Sequence, residues 1–297
     1  MSTATDAVTQ AYRECERITR EQARNFAWGI RLLPRPKRNA LSAVYAMARR
    51  IDDIGDGPLA GDEKLRLLGI ERAALEDPGA HHDDPVLRAL DDAARRLPIP
   101  LTAFGELIDG CEMDIAGRSY ETVEDLVDYC RCVAGSIGRL SLGVFDPLLD
   151  RAALDRASAQ ADALGIALQL TNILRDIRED LGIGRVYLPA RDLEMFGCEL
   201  AVLPDGSLDP CDGALAEVIR FEAARAWGWY DRGLRLVGVL DRRSAACCAA
   251  MAGIYHDLLG RIAANPSLVM GGRHSLPTGR KLWIAGCSIV SPGSTGG

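Results

Sequence analysis

The stretch Gln169-Leu170-Thr171-Asn172-Ile173-Leu174-Arg175-Asp176-Ile177-Arg178-Glu179-Asp180 decides how this chain is read. Drawn as a helix, Gln169, Asn172, Asp176 and Asp180 share an arc of about 80°. Ile166, Leu170, Ile173, Ile177 and Leu181 form the adjoining apolar arc, and Arg175, Arg178 and Glu179 occupy the remaining side. An ordinary surface helix has one apolar and one polar face. Here a stripe of amides and carboxylates borders the apolar arc and stands apart from the Arg/Glu side. That pattern suits a helix lining a cavity with a polar head.

A second acidic stripe precedes it. Arg49-Arg50-Ile51-Asp52-Asp53-Ile54-Gly55-Asp56 closes a predicted helix, and Leu41, Tyr45, Arg49, Asp52 and Asp56 recur on one face. Either motif alone reads equally well as a solvated acidic face. Together they are harder to dismiss. Carboxylates about 6 Å apart on a helix repel by roughly 3 kcal/mol at an effective dielectric of about 20. Two such pairs on one cavity call for cations. Magnesium (Mg²⁺) prefers a few carboxylates together with phosphate oxygens and water. The paired stripes therefore predict Mg²⁺ bridging to a diphosphate, with Arg49 and Arg175 adding charge-assisted hydrogen bonds. A metal assists departure of a diphosphate as a Lewis acid, and an apolar cavity keeps the carbocation left behind from water.

The rest of the chain fits an all-α architecture. Helical spacing predicts helices near 8–30, 35–55, 62–76, 84–96, 101–116, 122–145, 151–181, 213–240, 243–264 and 277–290. Leu33-Pro34-Arg35-Pro36, Asp77-Pro78-Gly79, Pro98-Ile99-Pro100, Asp146-Pro147 and Pro204-Asp205-Gly206 punctuate them. The connections are too short, and strand-like runs too scarce, for βαβ units. No linker divides the 297 residues, so one domain over 1–290 is expected, with 291–297 a disordered tail.

Composition narrows the function classes. A net charge of −7 lacks the basic excess of a nucleic-acid binder. Nine cysteines without a CxxC pair argue against a disulfide framework and against a zinc ribbon, and predict reduced, mostly buried thiols. His81 and His82, among Asp, Pro and Gly, read as a solvated loop. Residues 1–25 have no apolar signal region, and no run of about 18 apolar residues is present. A cytoplasmic protein is expected, with peripheral contact at a membrane surface left open.

Further residues carry a resemblance. They are Asn25-Phe26 with Leu32-Leu33-Pro34, Tyr45-Ala46-Met47-Ala48-Arg49 leading into the first acidic motif, and Tyr129-Cys130 with Val133-Ala134-Gly135-Ser136-Ile137-Gly138. The 168–180 run and Gly184-Arg185-Val186-Tyr187-Leu188-Pro189 complete them. Over residues 12–285 the chain resembles the squalene and phytoene synthases, the head-to-head trans-prenyltransferases. The run from Gln169 to Asp180 with the Arg-x-Tyr-Leu-Pro loop is the specific part; the first acidic motif alone is not.

The resemblance implies the isoprenoid synthase fold, a single helical bundle around a central cavity, and an isoprenoid diphosphate substrate. It implies that Asp52 and Asp56 hold Mg²⁺ on one side and Asn172, Asp176 and Asp180 on the other. Asp52 and Asp176 are then catalytic through the metal. Tyr129 stands beside the reacting carbons, for cation stabilisation or proton handling. Phe26, Tyr45, Arg49, Gln169, Arg175, Tyr255 and Arg273 contact substrate. Gly135 and Gly138 allow close helix approach or an unwound segment. Gly55, in place of a larger apolar residue, is expected to end its helix early.

In its fine pattern the chain looks most like bacterial presqualene diphosphate synthases of hopanoid biosynthesis, which condense two farnesyl diphosphates. The alternatives are a phytoene or dehydrosqualene synthase, a complete NADPH-dependent squalene synthase, and a catalytically dead scaffold relative. Downstream squalene-pathway enzymes would be natural partners.

Overall fold

The computed structural model describes residues 2–23, 26–272 and 275–290. Among these the chain is helical throughout, and the sole β-pairing is an isolated antiparallel bridge between Val202 and Leu208. The helices are α1 (Ser2–Gln22), α2 (Phe26–Ile30), α3 (Arg35–Asp56), α4 (Gly61–Glu76), α5 (Pro85–Arg96), α6 (Ala103–Ile115) and α7 (Val123–Cys130). They continue as α8 (Ser136–Phe145), α9 (Arg151–Gly182), α10 (Ala190–Met195), α11 (Ala214–Gly233), α12 (Arg242–Ala264), α13 (Ser267–Met270) and α14 (Thr278–Val290). No described helix is long and apolar enough to cross a membrane.

Local chemistry sets the boundaries. Asp84, Asp150 and Asp241 each cap a helix by accepting from backbone N–H groups of the first turn of α5, α9 and α12. Thr122 and Asp125 form a reciprocal capping box that starts α7. Pro36 sits in the first turn of α3, where its missing N–H costs no hydrogen bond.

At the centre runs α9, 32 residues and about 48 Å long. Its Ile166, Leu170, Ile173 and Ile177 are buried, as the apolar arc requires. Helices α8, α11 and α12 pack around it, and α3 lines the far wall of the hollow between them. Thr171, buried on the far side of α9, is hydrogen-bonded to the Tyr230 hydroxyl of α11 at 3.0 Å.

Helices α8 and α9 cross closely because glycine stands on both sides. A Cβ on Gly165 would run into the carbonyl oxygen of Ala134, and one on Gly138 into that of Ala161. Between α7 and α8 the chain makes a π-helical turn, Arg131–Gly135, so both expected uses of these glycines occur together.

Four local expectations need correction. The predicted helix 8–30 divides into α1 and α2. The helix predicted over 213–240 gives way to a 3₁₀ segment, Leu234–Val239, where valines and Gly238 weaken α-helix. The short α10 and α13 fell in stretches read as loop. Gly55 does not end α3 early: it lies buried within the helix, which runs on to Asp56. All nine cysteines are free, six of them buried, and His81 and His82 are exposed.

Candidate active site

Two chambers open into one another between α3, α6, α8 and α9. One is apolar, lined by Phe26, Ile30, Leu41, Val44, Tyr45 and Ala48 on one side. Ile137, Phe145, Ala161, Leu164 and Leu168 line the other. From Asp52 down to Leu41 its wall is about 16 Å of helix. The other chamber is polar: Asp52, Asp56, Asp114, Tyr129, Gln169, Asn172, Arg175, Asp176, Asp180, Arg185 and Tyr187 face it. Asp52, Val133, Gln169 and Asn172 border both, so they mark the seam. The two acidic stripes thus confront one another across a shared hollow.

The carboxylates there are poorly offset by protein cations. Burial first, and then the neighbouring Asp56, push the Asp52 carboxyl up to about 7 despite Arg49. Burial and Asp176 likewise push Asp180 up to about 7. Asp114 is raised by burial, although Arg185 and two tyrosine hydroxyls oppose the shift. Among the described residues no three His, Cys, Asp or Glu side chains are grouped tightly enough to hold a metal ion by themselves.

Two buried polar atoms beside the hollow have no hydrogen-bond partner: the Asn172 Oδ1 acceptor, at the seam, and the Arg49 Nε donor, in the wall of the apolar chamber. An unsatisfied buried polar atom costs about 1–3 kcal/mol. Here an acceptor suited to a cation and a donor suited to an anion border the same hollow. The donor set therefore fits a magnesium diphosphate: carboxylate and amide oxygens for the metal, guanidinium groups for the phosphates.

The predicted arginines are only partly where the helical wheel put them. Arg175 was assigned to the outer Arg/Glu side, but it is 6% exposed and lines the polar chamber. Its guanidinium forks onto the neighbouring Asp176, donating from Nε at 2.7 Å and again from Nη2. Its long stem lets the head group reach around the helix. Arg49 lines the apolar chamber from α3 and pairs with the exposed Asp53.

Tyr129 is buried, and its hydroxyl donates to Asp114 Oδ2 at 2.8 Å. Tyr187 donates to Asp114 Oδ1 at 2.9 Å, and the two rings stack with centroids 5.2 Å apart. Burial and the adjoining Asp114 hold the Tyr129 phenol well above its ordinary range, so it is neutral. Tyr255, expected in the cavity, lies behind the wall instead. It stacks on Phe26 with ring centroids 5.5 Å apart. Phe26, Tyr45 and Gln169 do line the hollow. Arg273 lies outside the described residues, as do Asn25 and the tail 291–297.

Three residues of the polar chamber had no role in the sequence reading. Asp114, on α6, gathers the tyrosines. Arg185, on the loop after α9, donates to Asp56 Oδ1 at 2.9 Å and so ties that loop to the first acidic motif. Tyr187 shares Asp114 with Tyr129. Arg185 and Tyr187 were visible in the Arg-x-Tyr-Leu-Pro motif; Asp114 carried no signal.

Comparison with known proteins adds four findings. The squalene/phytoene synthase family profile matches residues 19–280. The phytoene synthase of Mycobacterium tuberculosis is 50% identical over 284 residues, spanning 96% of this chain and 92% of that protein. A dehydrosqualene synthase crystal structure superposes with a TM-score of 0.81 at 27% identity, covering 95% of this chain and 96% of that one. The squalene synthase HpnC of Alicyclobacillus acidocaldarius superposes at 0.75 with 30% identity, covering 88% and 97%.

Proposed function

The chain belongs to the squalene/phytoene synthase family and is a prenyltransferase, and from that premise we propose that it is a phytoene synthase joining two geranylgeranyl diphosphates head to head. The observation that carries the reaction class is the seam. The orphan acceptor of Asn172 and the raised Asp52 stand where a polar chamber meets an apolar one, with the orphan donor of Arg49 in the apolar wall and the raised Asp180 in the polar one. The choice of product is supported by the name of the relative at 50% identity. It displaces presqualene diphosphate from farnesyl diphosphate, which remains the second reading because of the likeness to HpnC.

Asp52 and Asp56 on α3, with Asn172, Asp176 and Asp180 on α9, would hold Mg²⁺. When bound, the metal supplies neutralisation of the charge that develops on a departing diphosphate. Arg49 offers its unpartnered Nε to a phosphate oxygen, and Arg175 and Arg185 add positive charge in the polar chamber. Tyr129 remains protonated, so it is no general base at neutral pH. Its ring and hydroxyl oxygen turn electron density toward an allylic cation at the seam. The apolar walls hold both prenyl chains and exclude water that would quench the cation.

The test is a product assay. Purified protein with Mg²⁺ should convert geranylgeranyl diphosphate to phytoene without NADPH, read by chromatography and mass spectrometry. Turnover of farnesyl diphosphate alone, to presqualene diphosphate or to squalene with NADPH, would move the chain to the second reading.

A further inference from the structure

Between α10 and α11 the chain folds into a small hairpin. The Asp209 N–H donates to the Ala201 carbonyl at 2.9 Å and the Leu203 N–H to the Ser207 carbonyl at 2.8 Å, around the bridge of Val202 and Leu208. This register sets Cys211 opposite Glu199, and the Cys211 thiol donates to the Glu199 carbonyl at 3.1 Å. Cys198, one residue along, donates its S–H to the Cys211 Sγ at 3.5 Å. No other two thiols among the described residues touch. Cys198 is 6% exposed, whereas Cys211 is half-buried and reachable from solvent. Cys211 and Asp212 both adopt positive φ, 48° and 52°, a local strain at the base of the hairpin.

We infer that Cys198 and Cys211 are an oxidation site, closing to an intrachain disulfide when the protein meets a hydroperoxide. The sulfurs need approach by only about 1.5 Å to reach bonding distance. Cys211 is the sulfur a peroxide reaches. Its thiolate attacks one peroxide oxygen, giving a sulfenic acid and releasing the other oxygen as water or alcohol. The Cys198 sulfur then attacks the Cys211 sulfur. It loses its proton as the S–S bond forms, and the sulfenic oxygen leaves as water. Two thiols are oxidised and one peroxide is reduced.

The bridge would fasten a strap across the end of the acidic helix. Arg178 of α9 donates to the Gly206 carbonyl of the hairpin at 2.5 Å and to the Gly271 carbonyl at 2.6 Å. The Leu208 N–H donates to the Met270 carbonyl at 3.0 Å. Closing the base of the hairpin therefore shortens the slack in a segment already tied to α9 and to the corner after α13. This inference is independent of the product the enzyme makes.

The experiment is peptide mapping of the whole protein, treated with hydrogen peroxide, unfolded and blocked with iodoacetamide. Trypsin releases both cysteines on one peptide, residues 192–220. The expected result is that peptide unalkylated and two hydrogens lighter than its reduced form, reverting to two alkylated cysteines after dithiothreitol. Met195 on the same peptide is exposed and reports, as its sulfoxide, that peroxide reached the segment. The bridged protein should melt about 5 °C above the reduced one, and Cys198→Ser should abolish that gain. Recovery of two alkylated cysteines beside oxidised Met195 would overturn the inference. So would Cys211 as a sulfinic or sulfonic acid with Cys198 alkylated.

Discussion

Asp52 carries a charge that the fold does little to offset. In an unfolded chain its carboxyl loses its proton near pH 4; buried beside Asp56 it keeps that proton until about 7. Between those values the folded state binds more protons than the unfolded one, so stability falls as pH rises through that window. Asp52→Asn removes this titration. The metal-free variant should lose less melting temperature than the parent between pH 5 and pH 8. At pH 8 its advantage should be on the order of 2 kcal/mol after allowance for solvent screening. Thermal melts of both proteins across that range check this, and parallel curves would mean the fold does balance the charge. Asp52 and its partners on α9 were legible because helical spacing alone puts them on one face. Asp114 was not legible. On α6 it reads as one more polar position, and only the tertiary fold brings it to Tyr129 and Tyr187.

At the scale of the elements, α9 lies against the π-helical turn and α8 with no side chains between their backbones at Gly165 and Gly138. Gly165→Ala tests this directly. Its Cβ would meet the Ala134 carbonyl, backbone that no side-chain rotation can clear. The cost should be about 1–3 kcal/mol, with a lower melting temperature and a loss of turnover, since Gln169 and Asn172 stand on the same helix one to two turns away. Gly182→Ala, where nothing lies within 4 Å of the added carbon, should leave both unchanged or slightly raise stability. Equal melting temperatures for the two variants would show that α8 and α9 are free to separate. Helical spacing and the proline and glycine breaks made the long helices readable, because each acts within a turn or so of itself. The π-helical turn and the 3₁₀ end after α11 were readable only in part. Gly135 with Gly138, and the valines with Gly238, mark weak α-helix, but which irregular turn results depends on how neighbouring helices pack. The same limit explains Arg175: a helical wheel places its Cα on the outer side and says nothing of where a flexible stem carries the guanidinium.

The whole molecule is acidic, with a net charge of −7, and its proposed substrate is a polyanion. General electrostatic attraction therefore opposes binding, and local arrangement must overcome it. The polar chamber sets Arg175 and Arg185 among Asp52, Asp56, Asp176 and Asp180, and Arg49 lines the apolar chamber that adjoins it. Neither half of a magnesium diphosphate is well served alone. A bare diphosphate meets the raised carboxylates, while a bare Mg²⁺ finds carboxylates dispersed across two helices and must keep most of its water. Bound together, each offsets the charge that repels the other. Mg²⁺ with inorganic diphosphate should therefore stabilise the protein more than the sum of the two added singly. At a hundredfold excess over the dissociation constant the gain is about 2.7 kcal/mol, or roughly 5–10 °C for a chain of this size. Differential scanning fluorimetry with each ligand alone and with both measures the synergy. Asp176→Ala should remove it, and simple additivity in the parent protein would mean that the two acidic faces do not act on a common ligand.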